Sequence, residues 1–223
     1  MALREIAGPA GRLEALLDEP QPERRVEADG LVYDGQPAGV RAAVVLGHPH
    51  TEYGGTMHTK AVYQTAKALN RIGCAVLRIN FRGAGASAGS FTGGPGEKDD
   101  FRVALDFMRK GYPGAHMWAA GMSFGAWIGL SVGADDPRIS TLIGIALPIA
   151  TYDWEAVRTS SKPKFFIHGE RDELCPLKDM REFYARAAEP KELVVIDGAD
   201  HLFDGKVSEV ADAIEDLLGD WSG

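Results

Sequence analysis

An α/β fold is what this sequence predicts, a mostly parallel, doubly wound sheet with helices on both faces. Three observations carry that expectation. Short apolar runs alternate with segments of helical spacing along most of the chain, the pattern of βαβ crossovers. The strand runs are apolar throughout, as strands buried on both faces must be. No internal repeat is visible, and no linker long enough to separate domains, so residues 1–223 are expected to form a single domain.

The elements follow in order. Residues 11–33 lack helical spacing and are expected to supply one or two antiparallel edge strands. Residues 42–46 (AAVVL) are a buried-strand run ended by Gly47 and Pro49. Residues 57–71 carry Met57, Ala61, Val62, Thr65, Ala66 and Leu69 at helical spacing, and Gly73 closes the helix. Residues 74–79 (CAVLRI) are the next strand, followed by a Gly/Ser-rich loop over 83–96. A helix over 98–110 presents Phe101, Ala104, Leu105 and Met108 on one face. Strands are expected at 116–120, 141–147, 164–168 and 193–196, and helices at 124–133, 178–188 and 206–218. Residues 149–163 have room for one short helix, near 152–159, and not for a multi-helix cap, so no cap domain is expected.

Composition narrows the function classes. Hydrophobic residues make up 45% and charged residues 25%, a globular balance that excludes disorder. The net charge is −8, from 24 basic and 32 acidic residues, with no basic patch. Nucleic acid and anionic membrane are therefore not expected as partners. Two cysteines, Cys74 and Cys175, are too few for a secreted disulfide scaffold or a four-cysteine zinc site, which points to the cytoplasm. Arg4, Glu5, Arg12 and Glu14 interrupt every apolar run in residues 1–20, so no signal peptide is read there.

Ligands of such sheets bind outside the carboxyl ends of the strands. After the strand at 116–120 comes Gly121-Met122-Ser123-Phe124-Gly125, G-x-S-x-G between a strand and a helix. That turn exposes the serine hydroxyl above a helix N-terminus, which favours developing negative charge. Without chemistry, the same residues would simply make a tight strand–helix joint. A serine needs a base, and the base needs an acid to orient it. In this architecture they follow in the order serine, acid, histidine. The next suitable strand ends carry His168-Gly169-Glu170-Arg171-Asp172-Glu173 and Asp197-Gly198-Ala199-Asp200-His201. Asp172 is the candidate acid, with Glu170, Glu173 and Asp153 as competitors, and His201 is the candidate base. Asp200 reads as a turn residue, His168 as a brace of the acid turn, His116 as structural and His58 as surface or packing. Two backbone N–H groups must meet the oxyanion. Phe124, the residue after the serine, supplies one. The loop after residues 42–46 supplies the other, from His50 or, as the alternative, Thr51, since Pro49 has no N–H. A metal site at His48-Pro49-His50 lacks further ligands.

The chain resembles the α/β-hydrolase superfamily, and most closely the small, lidless, bacterial esterase-like group related to dienelactone hydrolases. The resemblance rests on HPHTEYGGTM at 48–57, RINFRGAGASAGSF at 78–91, GMSFGAW at 121–127, HGERDELCP at 168–176 and GADHLFDGKV at 198–207. It implies Ser123 as nucleophile, Asp172 as acid and His201 as base. Dienelactone hydrolases themselves carry a cysteine where this chain has Ser123, which weakens any transfer of their substrate. Gly83-x-Gly85-x-x-x-Gly89 has the wrong offset for a dinucleotide loop. Arg82 and Glu97 are expected to fasten that loop and the following helix start. Cys74 and Cys175 read as packing residues.

The expected activity is hydrolysis of small carboxylic esters through an acyl-enzyme, with no cofactor and an open, shallow site. An amidase, peptidase or acyltransferase using the same three residues is one alternative. A catalytically silent binding protein of the same fold is another.

Overall fold

The computed structural model describes residues 2–20, 24–26, 32–34 and 39–221. The chain opens with an antiparallel hairpin, β1 (Ala2–Gly8) and β2 (Gly11–Asp18). β3 (Arg24–Val26) and β4 (Val32–Asp34) form a separate two-stranded antiparallel ribbon. Then come β5 (Ala42–Gly47), β6 (Ala75–Ile79), β7 (His116–Met122), β8 (Ile139–Ile145), β9 (Lys164–Gly169) and β10 (Lys191–Ile196). These six are mutually parallel, and β2 joins them antiparallel through β6. The eight-stranded order is β1-β2-β6-β5-β7-β8-β9-β10. The chain grows from β5 outward to β6, then returns across β5 to begin β7. That reversal is a topological switch point, where the loops leaving β5 and β7 diverge and open a crevice.

The sheet divides the core in two, and the strand period of two sorts side chains between the halves. Along β5, Ala43 and Val45 face one layer, while Ala42, Val44 and Leu46 face the other. The first layer is closed by α2 (Pro95–Gly111), α3 (Phe124–Asp135) and α5 (Leu177–Arg186), through Phe101, Leu105, Ile128 and Met180. The second is closed by α1 (Lys60–Arg71) and α6 (Val207–Leu218), through Val62, Leu69, Val210 and Ile214. Residues 149–163 hold only α4 (Glu155–Thr159), so no multi-helix cap covers the strand ends.

Several boundaries differ from the sequence expectation, each for a local reason. α1 begins at Lys60 rather than near Met57, because the Met57 N–H donates to Asn80 Oδ1 (2.8 Å) and Thr56 and Thr59 close a turn. β8 ends at Ile145 rather than 147, because Ala146 takes a positive φ of 50°. α2 starts earlier, at Pro95, with the Glu97 carboxylate accepting the Gly94 N–H at 2.7 Å. Of the stretch 11–33, β2 lies inside the large sheet rather than at its rim, because β1 covers its outer side. Residues 21–23 and 27–31 of that stretch lie outside the described residues. Among the described residues, no helix is long and apolar enough to cross a membrane.

Candidate active site

The site is assembled from loops leaving β5, β7, β9 and β10. Ser123 follows β7 with φ 55° and ψ −121°, a conformation that costs a non-glycine residue about 1–3 kcal/mol and persists only where the surroundings impose it. Two features impose it. The Ser123 N–H donates to the Ile145 carbonyl of β8 at 2.8 Å. Gly125 lies directly against the end of β5, where a Cβ would stand 2.4 Å from Gly47 C and 2.5 Å from His48 O. A side chain there would push the start of α3 off the sheet, which is why the motif needs glycine at this position. The serine is 8% exposed, at the N-terminus of α3.

The loop after β9 presents Asp172, and the loop after β10 presents His201. Asp172 Oδ1 accepts the N–H groups of Leu174 and Cys175, both at 2.9 Å. Its Oδ2 stands 2.8 Å from His201 Nδ1, and His201 Nε2 stands 2.9 Å from Ser123 Oγ. A carboxylate only accepts, so Nδ1–H donates to Asp172 and Nε2 is left to accept from the serine hydroxyl. Burial opposes ionisation of Asp172. The hydrogen bond from His201, with the Cys175 N–H, outweighs it and holds the carboxyl below the usual carboxylate range.

The two loops meet because Gly169 has no side chain: a Cβ there would stand 2.5 Å from Ala199 O and 2.6 Å from Asp200 O. Two carboxylates stitch them further. Glu170 Oε2 accepts the Gly198 N–H at 2.8 Å, and Glu173 Oε2 accepts the His201 N–H at 3.3 Å. From the sequence alone both read only as rivals of Asp172. Nothing local in the sequence separates a glutamate that orients a facing loop from one that acts on a histidine. Asp153 takes no part in the hydrogen bonds of the His201 ring, which go to Asp172 and Ser123. Its Oδ1 accepts the Glu155 N–H at the head of α4. Asp200 accepts the N–H groups of Leu202 and Asp204, a turn residue as expected.

His168, fully buried, donates from Nε2 to the Cys175 carbonyl at 2.8 Å and lies 3.8 Å from Asp172 Oδ2. It braces the acid turn. Burial lowers its pKa. Burial also pushes the Cys175 thiol up to about 11 and the Cys74 thiol up to about 12, so neither is poised as a nucleophile.

On the opposite side, Phe124 heads α3, and its N–H has no carbonyl partner within the helix. His50 precedes the short 3-10 helix Thr51–Tyr53 and accepts the Tyr53 and Gly55 N–H groups on its carbonyl. His48 fixes this loop. Its Nδ1–H donates to Pro49 O at 2.5 Å, and its Nε2 accepts the Phe81 N–H at 3.0 Å. Burial lowers the His48 pKa to about 4, so the ring is neutral at pH 7. Both His48 nitrogens are therefore committed, which leaves no lone pair for a metal. Among the described residues, no group of three His, Cys, Asp or Glu side chains could hold a metal ion. The loop after β6 is pinned as expected: Arg82 pairs with Asp100 at 2.8 Å, and Glu97 accepts from Thr92 and Gly94. His58 and His116 are exposed.

Similarity to known proteins agrees with this architecture. An α/β serine hydrolase homologue from Coxiella burnetii superposes with a TM-score of 0.86, at 30% identity over 97% of each chain. XC6422 from Xanthomonas campestris, described as an α/β serine hydrolase without lid, superposes with a TM-score of 0.86, at 31% identity over 99% of this chain and 94% of that one. This chain is thus a lidless α/β hydrolase. Residues 38–153 match the family described as "Serine aminopeptidase, S33", and the chain belongs to it. An uncharacterized protein of Rickettsia prowazekii, RP471, is 36% identical over 206 residues, 88% of this chain and 85% of the relative.

Proposed function

We propose that this protein is a carboxylesterase-type serine hydrolase acting on small esters. The observation that carries the proposal is the continuous hydrogen-bonded relay Asp172–His201–Ser123, at 2.8 and 2.9 Å, on the carboxyl side of the sheet. In this reading Ser123 Oγ attacks the ester carbonyl while His201 Nε2 takes its proton. Asp172 holds the resulting imidazolium in place. The N–H groups of Phe124 and His50 receive the oxyanion, with Thr51 as the alternative to His50. Collapse of the tetrahedral intermediate expels the alcohol with the proton from His201. His201 then deprotonates a water, which attacks the acyl-serine and frees the acid. The cycle requires no cofactor, and the buried, unpaired thiols of Cys74 and Cys175 fit a reducing cytoplasm.

The description of the family favours one second reading, hydrolysis of an amide by the same three residues. Matched ester and anilide substrates separate the two. The test of the first is turnover of 4-nitrophenyl acetate and butyrate by the wild type and by Ser123→Ala. Hydrolysis lost in the variant supports the esterase reading. Wild-type turnover no greater than the variant's contradicts it and favours a binding role for the fold.

A further inference from the structure

Aromatic rings from four consecutive strand ends gather around Phe124, the residue after Ser123. His50 and Tyr53 come from the loop after β5, Phe91 from the loop after β6, Phe124 and Trp127 from α3, and Tyr152 from the loop after β8. Phe124 is the floor. Its ring is 1% exposed and lies 5.2 Å from His50, 5.4 Å from Phe91, 5.8 Å from Trp127 and 5.9 Å from Tyr152, centroid to centroid. Trp127 and Tyr152 stack face to face at 4.2 Å and 11°. His50 is packed between Phe91 at 4.4 Å and Tyr53 at 4.6 Å. The outer rings remain open to water: Tyr53 is 87% exposed, and Phe91, Trp127 and Tyr152 are half-buried.

We propose that this aromatic surface is a substrate subsite that selects esters bearing an aryl group one carbon from the ester function. The proposal rests on Ser123 being the nucleophile. Phe124 is the next residue in the chain, and its buried ring seats the half-buried rings of Phe91, Trp127 and Tyr152, so an aryl group joined to the reacting carbonyl through one carbon would meet those rings. The walls are flat and edge-bearing, and their quadrupoles favour a stacked or edge-on ring over a saturated one of equal size. A straight alkyl chain would gain area there but not that preference.

Two isosteric pairs test it. Methyl phenylacetate against methyl cyclohexylacetate puts the ring on the acid side. Benzyl acetate against cyclohexylmethyl acetate puts it on the alcohol side. In at least one pair, kcat/KM is expected to favour the aryl ester about two- to tenfold. Phe91→Leu and Tyr152→Leu should each bring that ratio toward one. Calorimetric titration of Ser123→Ala with the same four esters reads binding without turnover and should give the same order. Equal or reversed preference in both pairs, in turnover and in binding, overturns the subsite. If the wild type hydrolyses none of the esters but the aryl members bind more tightly, the subsite stands and the hydrolytic reading falls. A concentration-dependent dimer dissolved by Tyr53→Ala overturns the proposal, since the rings would then be an interface between copies.

Discussion

His201 Nε2 lies 2.9 Å from Ser123 Oγ, although 78 residues separate the two in the chain. Neither residue reaches the other by local structure. Ser123 is held by the turn between β7 and α3, and His201 by the loop after β10, three strands further along the sheet. The sheet order β7-β8-β9-β10 fixes both loops on one side, and Asp172 ties the histidine between them. Truncating any one member is therefore expected to remove a function of the whole relay. Ser123→Ala and His201→Ala should each lower kcat by roughly 10⁴–10⁶-fold, and Asp172→Asn by roughly 10³–10⁴-fold. The double variant Ser123→Ala/His201→Ala should be little worse than either single one. Steady-state kinetics on a short ester checks this, and additive losses would contradict a single catalytic unit.

Gly169→Ala tests whether the meeting of two loops matters. The added Cβ would clash with the carbonyls of Ala199 and Asp200, which are backbone and cannot rotate away. The loop bearing His201 must then shift. The fold should lose about 1–3 kcal/mol, and a displacement of about 1 Å at the base should cost on the order of 10²-fold in kcat. Chemical denaturation together with kinetics checks both. Unchanged kcat would show that the two loops need not touch.

Stability should fall on mild acidification because of His48. Its folded pKa of about 4 lies below the ordinary histidine value of 6.5. Between those values the unfolded chain binds the proton and the folded chain does not, so stability rises with pH across that window. The contribution is complete above about pH 6.5 and lost as pH falls toward 4. From pH 7 to pH 5 the loss is on the order of 2 kcal/mol. His168, whose pKa is also lowered by burial, adds in the same direction. Urea unfolding at the two pH values should show the loss, and His48→Gln should flatten it. An equal slope in the variant would remove His48 as its source.

The single short helix α4 over the strand ends predicts the dependence on chain length. An open site buries few methylenes, each worth about 0.8 kcal/mol when fully buried. Acetyl to butyryl esters should outperform decanoyl and longer ones, and the rate should not jump when a substrate passes its solubility limit. An optimum on long-chain esters would contradict the open site.

The sequence made much of this legible, for identifiable reasons. Fully apolar runs such as Ala42–Gly47 are legible because parallel strands are buried on both faces. G-x-S-x-G is legible because its glycines answer to steric contacts within a few residues and with one neighbouring strand. β1 is not legible: of Ala2–Gly8 only Ile6 is buried, so the strand carries almost no hydrophobic contrast. The start of α1 is not legible either, because the Met57 N–H is claimed by Asn80, 23 residues away. The roles of Glu170 and Glu173 were hidden for the same reason, since their partners lie 28 residues downstream. Contacts that depend on which loops the sheet places side by side leave no periodic trace.

The most direct test of the central claim is covalent labelling. One equivalent of a fluorophosphonate, followed by peptide mass spectrometry, should place a single adduct on Ser123 and abolish ester turnover in proportion to labelling. Ser123→Ala should take up none, and His201→Ala should react at least a hundredfold more slowly. Full ester turnover persisting after complete labelling, or an adduct on any residue other than Ser123, would contradict the account.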